Sequence, residues 1–234
     1  MMKNLLKEIS LGFRTIRYGF QLKTNIALVV IFFILGIITE IGCRGTVYFG
    51  GLYMTICGIV PMQLICSLGV SDLAKSSPKR EHMGTFIPTA CSTVTMLAVY
   101  TVLMIIKAVL CQIYPEYAGT ISYQLIMTGV MCALIMVYCG VVFKHFILSI
   151  ILLCVAMGVS GFCEGILMAV DTLEGNGFII TSGIPMELPF IPCALAGYLL
   201  ILIGGFLCWL LTKLFYKHEM SKYAYGAALR IAMQ

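Results

Sequence analysis

"IALVVIFFILGIITEIG", residues 26–42, carries one ionisable side chain, Glu40, near its far end and none before it. A run this apolar suits a helix crossing a bilayer, for which about 20 predominantly apolar residues suffice. It is preceded by "MMKNLLKEISLGFRTIRYGFQLKTN" and closes on "TEIGCRG" with no small-x-small cleavage pattern. The reading is therefore a retained span and not a removed signal. Windows of the same character follow at 47–67, 86–112, 120–143, 146–168 and 191–213. The expected fold is all-α, a polytopic membrane protein with six transmembrane helices in a single domain, 1–234.

Composition agrees. The 234 residues are 61% hydrophobic and 11% charged, where a soluble domain is about half apolar and about a quarter charged. No polar segment between the windows is long enough to fold alone, which excludes a soluble catalytic domain. The second, third and fourth windows carry Gly, Thr and Ser at helical spacing, the pattern of helices that approach closely in lipid. These three are expected to form the packed bundle.

Basic residues set the orientation. With the N-terminus in the cytoplasm, every Lys and Arg except Arg44 and Lys107 falls on the cytoplasmic side, and both termini are cytoplasmic. Ahead of the first span, Leu5, Leu6, Ile9, Phe13, Ile16 and Phe20 recur at three- and four-residue spacing, interleaved with Lys3, Lys7, Arg14 and Arg17. That pattern predicts an interfacial helix within 1–24. Between the fifth and sixth windows, 158–190 is Gly-rich and apolar in pieces, which suits an external re-entrant hairpin whose irregular backbone is satisfied inside protein. Residues 214–234 form a cytoplasmic tail.

Enzymatic chemistry finds little support. "GVSG", Gly158 to Gly161, resembles the segment around the nucleophilic serine of rhomboid proteases, but a serine needs a base within reach. His82, His145 and His218 all belong to the cytoplasmic side, away from Ser160. The motif reads as small-residue packing. There is no H-E-x-x-H, no His cluster and no phosphate-binding G-x-x-x-x-G-K-[ST], so neither a metal nor a nucleotide is expected on this chain. The eleven cysteines show no C-x-x-C pair and read as small apolar residues. Cys43, Cys111, Cys163 and Cys193 fall towards the outer side, where a disulfide is allowed without being implied.

Ionisable groups inside a membrane are default functional candidates. Lys107, in "LMIIKAVLCQIY", lies in the outer part of its span, where a charge costs less than the about 2.5–3.5 kcal/mol assigned to a helix centre. Snorkelling, or pairing with Glu164 or Glu116, would satisfy it. Glu40 and Arg44 stand four apart, the spacing of a helical ion pair. Tyr53, Met54, Tyr100, Lys107 and Glu164 are the candidates for a translocation path, Met and Tyr being adaptable linings for an amphipathic passenger. Core packing and anchoring account for the same residues.

The largest interior loop, 69–85, holds "SDLAKSSPKREHMG", with a helix start at Ser71 and another at Ser77 followed by Pro78. Pro88 then opens the third span. An interfacial N-terminal helix, six spans, a basic loop of the "AKSSPKREHMGTFIP" kind and an apolar hairpin before the last span together resemble the ABC exporter permeases of the second type. The half-size permeases that export phenol-soluble modulins are the most similar. The resemblance covers nearly the whole chain in layout and rests on no catalytic signature. It implies a bacterial plasma-membrane transport subunit that is not itself an enzyme and pairs with a second permease, a homodimer or a paired chain. A separate ATPase would bind the ATP and Mg²⁺, and the exported substrate would be an amphipathic peptide or lipid-like. It further implies that Ser77, Pro78, Lys79, Arg80, Glu81, His82 and Met83 form a coupling helix held by that ATPase, with Met83 and Phe86 making apolar contacts to it. Lipid is the remaining partner, and nucleic acid has no place in the scheme. The alternative is a membrane-embedded immunity or sensor-type interaction protein that needs no ATPase.

Overall fold

A computed structural model describes residues 2–19, 21–68, 79–142, 144–145, 147–158, 161 and 188–217. Seven α-helices carry the described chain: α1 (Met2–Thr15), α2 (Leu22–Gly42), α3 (Phe49–Leu68), α4 (Arg80–Ile113), α5 (Ala118–Val142), α6 (Ile147–Gly158) and α7 (Phe190–Leu214). No strand occurs among the described residues. Of these helices α2, α3, α4, α5 and α7 are long and apolar enough to cross a membrane. The chain is thus a polytopic α-helical membrane protein. The fifth expected span, 146–168, is described over the short apolar helix α6 and at Gly161. Most of the expected hairpin, 158–190, and all of the tail beyond 217 lie outside the described residues.

Lipid, not water, is the solvent these helices suit. On α2, Ile31, Leu35, Ile38 and Ile41 face outward, as do Ile105, Val109 and Ile113 on α4. Contiguous apolar surface of this kind is rare on a monomeric soluble protein.

Two sequence expectations are corrected in α4. Pro88 does not open the span but lies inside a helix that already starts at Arg80. Proline has no N–H for the Gly84 carbonyl, and neighbouring threonines supply hydrogen bonds to that turn. Thr85 Oγ1 donates to the Glu81 carbonyl at 2.7 Å, and Thr89 Oγ1 lies 2.9 Å from both the Thr85 and Phe86 carbonyls. The second correction follows from the first. Arg80, Glu81, His82 and Met83 are the opening turn of α4 itself and not a separate loop helix, while Ser77 and Pro78 lie outside the described residues.

The core forms where α3, α4, α5 and α7 meet, around Met62, Met96, Tyr100, Leu125, Cys132, Met136, Ile201 and Cys208. Its tightest crossing joins α5 and α7, a pairing that small-residue spacing in the second to fourth windows did not single out. A Cβ on Gly129 would stand 2.7 Å from the Gly197 Cα, and one on Gly204 would stand 2.6 Å from the Ala133 Cα. A Cβ on Gly140 would meet the Cys208 carbonyl oxygen at 3.0 Å. Backbones are therefore in direct contact along this seam, and only the absence of side chains permits it. Tyr100 reaches across from α4 with its hydroxyl 3.3 Å from the Leu125 carbonyl and 3.4 Å from that of Ala194.

The seam also fixes direction. Positions 129, 133 and 140 of α5 meet 197, 204 and 208 of α7 in the same order, so the two helices run parallel. At their C-terminal ends the His145 and Phe215 rings meet edge to face, centroids 4.7 Å apart. By contrast α2 and α3 are joined by the short connection 43–48, and α4 and α5 by Tyr114 and a 3₁₀ turn, Pro115–Tyr117.

Candidate functional site

Charged residues gather at two ends of the bundle, and the two ends differ in kind. At the first, the starts of α2 and α4 meet the C-terminal ends of α3, α5 and α7, and α1 lies against them. Ile9 and Ile16 pack with Met83 and Phe86 on Ile65, Ile87 and Cys91. Gly12 allows the approach, since a Cβ there would lie 2.5 Å from Cys91 Sγ and 2.7 Å from Ile87 Cγ2. His82 Nε2 and Glu8 Oε2 are 3.2 Å apart, and the His82 ring stacks on Phe86. Both side chains of that pair are about two-fifths exposed, so solvent leaves the pair little net stability. The apolar contacts hold α1. Gly12→Leu is expected to unseat it, raising the rate of proteolytic cleavage ahead of α2 by about tenfold in a limited-digestion time course, in line with the overpacking cost of a core. An unchanged rate would show that α1 does not seat on α4.

Lys79, Arg80 and Glu81 are exposed at the foot of α4, and Met83 and Phe86 are half-buried. Around them stand Lys213, Tyr216 and Lys217 from the end of α7. Lys144, after α5, places Nζ 3.5 Å from the Tyr216 carbonyl, and burial lowers the pKa of its ammonium. With α4 spanning 34 residues, its length is about 51 Å against a hydrocarbon core of about 30 Å. Part of it must project past the membrane.

The opposite end is built around a buried ion pair. Lys107 Nζ lies 2.8 Å from Glu40 Oε2, both side chains wholly buried. This replaces two expectations. Lys107 pairs with neither Glu116, which is exposed in the 3₁₀ turn, nor with solvent, and Glu164 lies outside the described residues. Glu40 does not pair with Arg44, because α2 ends at Gly42 and Arg44, at φ 55°, sets its guanidinium 5.2 Å from the Tyr114 ring centroid.

The reason lies in the 43–48 connection, where Thr46, Val47 and Tyr48 are buried in irregular backbone. Such backbone needs partners from protein at membrane depth. Lys107 donates to the Gly45 carbonyl at 2.9 Å and Gln124 Nε2 to the Thr46 carbonyl at 3.0 Å. The Gly45 N–H donates to the Glu40 carbonyl at 2.8 Å. Gly45 has φ 72°, a conformation suited to Gly. The Glu40 carboxylate itself lies against the first turn of α3, where a Cβ on Gly50 would be 2.5 Å from Glu40 Cγ. The helix dipole there favours a negative charge. Glu40 Oε1 and Gln124 Oε1 accept no hydrogen bond among the described residues. The cluster is a clasp that closes the α2–α3 connection onto α4 and α5.

Of the path candidates, Met54, Tyr100 and Lys107 are in the packed interior, and Tyr53 is half-buried with its ring stacked on Phe32. The thiols of Cys43, Cys111 and Cys193 are free. Sequence reading missed the Glu40–Lys107 partnership because the two residues are far apart in the chain and neither spacing nor composition links them. No protein-family profile matches the chain, and neither the curated proteins nor the solved structures contain a significant match.

Proposed function

We propose that this chain is the permease subunit of an ATP-driven exporter for an amphipathic peptide or lipid-like substrate, driven by a separate ATPase that holds the ATP and Mg²⁺. The observation that carries this reading is mechanical. The exposed Arg80 and Glu81, directly after the capping residue Lys79, open the same continuous helix that runs through the core to Lys107. A partner that moves this foot moves the whole helix. Charges at such a surface favour correct docking over raw affinity.

Six spans and cytoplasmic termini belong to the proposal. Because α5 and α7 run parallel, the chain between them must return to the start of α7, and α6 with the residues after it is the segment available for that crossing. The clustering of basic side chains at the α4 foot supports placing it in the cytoplasm of a bacterial plasma membrane. The filled interior around Met96 and Tyr100 supports a passage between two permease chains in preference to one through a single bundle. The re-entrant hairpin at 158–190 would face outward, with Glu164 near the exit.

The test is ATPase coupling. The triple variant Lys79→Ala, Arg80→Ala, Glu81→Ala, reconstituted with the ATPase that copurifies with the chain, should lose about tenfold in permease-stimulated ATP hydrolysis, roughly 1.4 kcal/mol of coupling. Unchanged stimulation would sink the docking role. Copurification with no Walker-motif protein would favour the alternative, an immunity or sensor-type interaction protein.

A further inference from the structure

We propose that the basic end of the bundle binds an anionic phospholipid, with the headgroup among Arg80, Lys213 and Lys217 and an acyl chain along the outward face of α7. A cavity of about 520 Å³ opens between the foot of α4 and the end of α7, lined by these three cations with Glu81, Leu214 and Tyr216. Its size falls within the range of small-molecule sites, about 300–1,000 Å³. Three cations against one carboxylate select an anion. What makes the anion a lipid is the surface that leads into the cavity. Leu199, Leu202, Phe206, Leu210 and Leu214 recur at three- and four-residue spacing and form one outward stripe, with Leu202 50%, Phe206 58% and Leu214 63% exposed.

Leu214 belongs to both features, ending the stripe and lining the cavity. Beside it the Lys213 ammonium lies 5.4 Å from the Trp209 ring centroid. Trp and Lys in this relation mark the level of the headgroups. A molecule with a phosphate at one end and a chain at the other fits the cavity and the stripe together, and basic pockets between membrane helices are suited to anionic headgroups. A free phosphate would use the cations and leave the stripe unused. The proposal goes beyond the transport reading and does not depend on an ATPase.

The experiment is native mass spectrometry of the detergent-purified chain offered phosphatidylglycerol, phosphatidylcholine or inorganic phosphate. Phosphatidylglycerol should be retained about tenfold or more over phosphatidylcholine, and millimolar phosphate should not displace it. Arg80→Gln, Lys213→Gln and Lys217→Gln should each weaken retention about fivefold, and the triple variant should abolish the preference. Phe206→Gln should weaken retention with every cation in place. Arg44→Gln, at the other end, should leave it unchanged. Equal retention of the two lipids, displacement by phosphate, or a preference that survives all three single cation replacements overturns the proposal. So does loss of preference in Arg44→Gln, which would assign the effect to net charge. If the triple variant fails to fold, the single variants decide. Because no ATPase is present, a failure here is separate from a failure of the permease reading.

Discussion

Replacing Lys107 with methionine is expected to lower the stability of the folded bundle by about 3–5 kcal/mol, because it strands a fully buried carboxylate. Lys107 and Glu40 each lie wholly out of solvent and 2.8 Å from one another. Removing the ammonium leaves the buried Glu40 carboxyl without its partner and also takes away the donor to the Gly45 carbonyl. The paired replacement Glu40→Leu with Lys107→Met should regain most of the loss, since well-packed apolar groups often match or exceed a buried ion pair. It should not regain all of it, because the Gly45 carbonyl would still lack its partner. Reversible unfolding in mixed micelles, run as a double-mutant cycle, measures the coupling. Additive single and double variants would show that the clasp carries no interaction energy, and a stable Lys107→Met would assign the lysine to some other task.

A second large effect is expected at the α5–α7 seam. Gly204→Val and Gly129→Val each place branched side chains where the first added atom would already lie 2.6 Å or 2.7 Å from the opposing Cα. An opposing backbone atom cannot rotate away as a side chain can, so the helices must separate. Separation is costly because lipid provides no hydrophobic drive to hold helices together, and close van der Waals packing is what remains. The expected loss is about 3 kcal/mol or more, the upper end of overpacking costs, read as a lower thermal midpoint and loss of the monodisperse peak in size-exclusion chromatography. Phe206→Leu, on the outward face of the same helix, should leave both readouts unchanged. If the Gly204→Val and Gly129→Val proteins matched the parent, α5 and α7 would not be in backbone contact.

Different residues were legible to different depths. Apolar windows predicted α2, α3, α5 and α7 to within a few residues, because a membrane helix must satisfy its own backbone and face lipid along its length. The start of α4 was misjudged because Pro88 carries a strong boundary signal in water, whereas a membrane-spanning helix tolerates proline in its interior. At the candidate site, exposed Lys79, Arg80 and Glu81 announced themselves as a charge island. Gly129 and Gly140 belong to the fourth window, whose small residues were read as packing positions, but Gly197, Gly204 and Cys208 of the last window were not, and spacing alone does not say which faces meet. Glu40 and Arg44 show the opposite failure. Their spacing is correct for a helical pair, yet the helix stops between them at Gly42.

Taken by itself, the sequence determined that this is a multispanning α-helical membrane protein and that its basic side chains crowd one end. Both follow from transfer free energies, which act on each segment without reference to its neighbours. Only the tertiary structure decided that α5 and α7 run parallel in backbone contact, that Lys107 closes on Glu40, and that the foot of α4 and the end of α7 enclose one basic cavity. Those are pairings between segments distant in the chain. They are set by where glycines let backbones meet and where a buried carbonyl needs a donor, and neither need is visible until the helices are side by side.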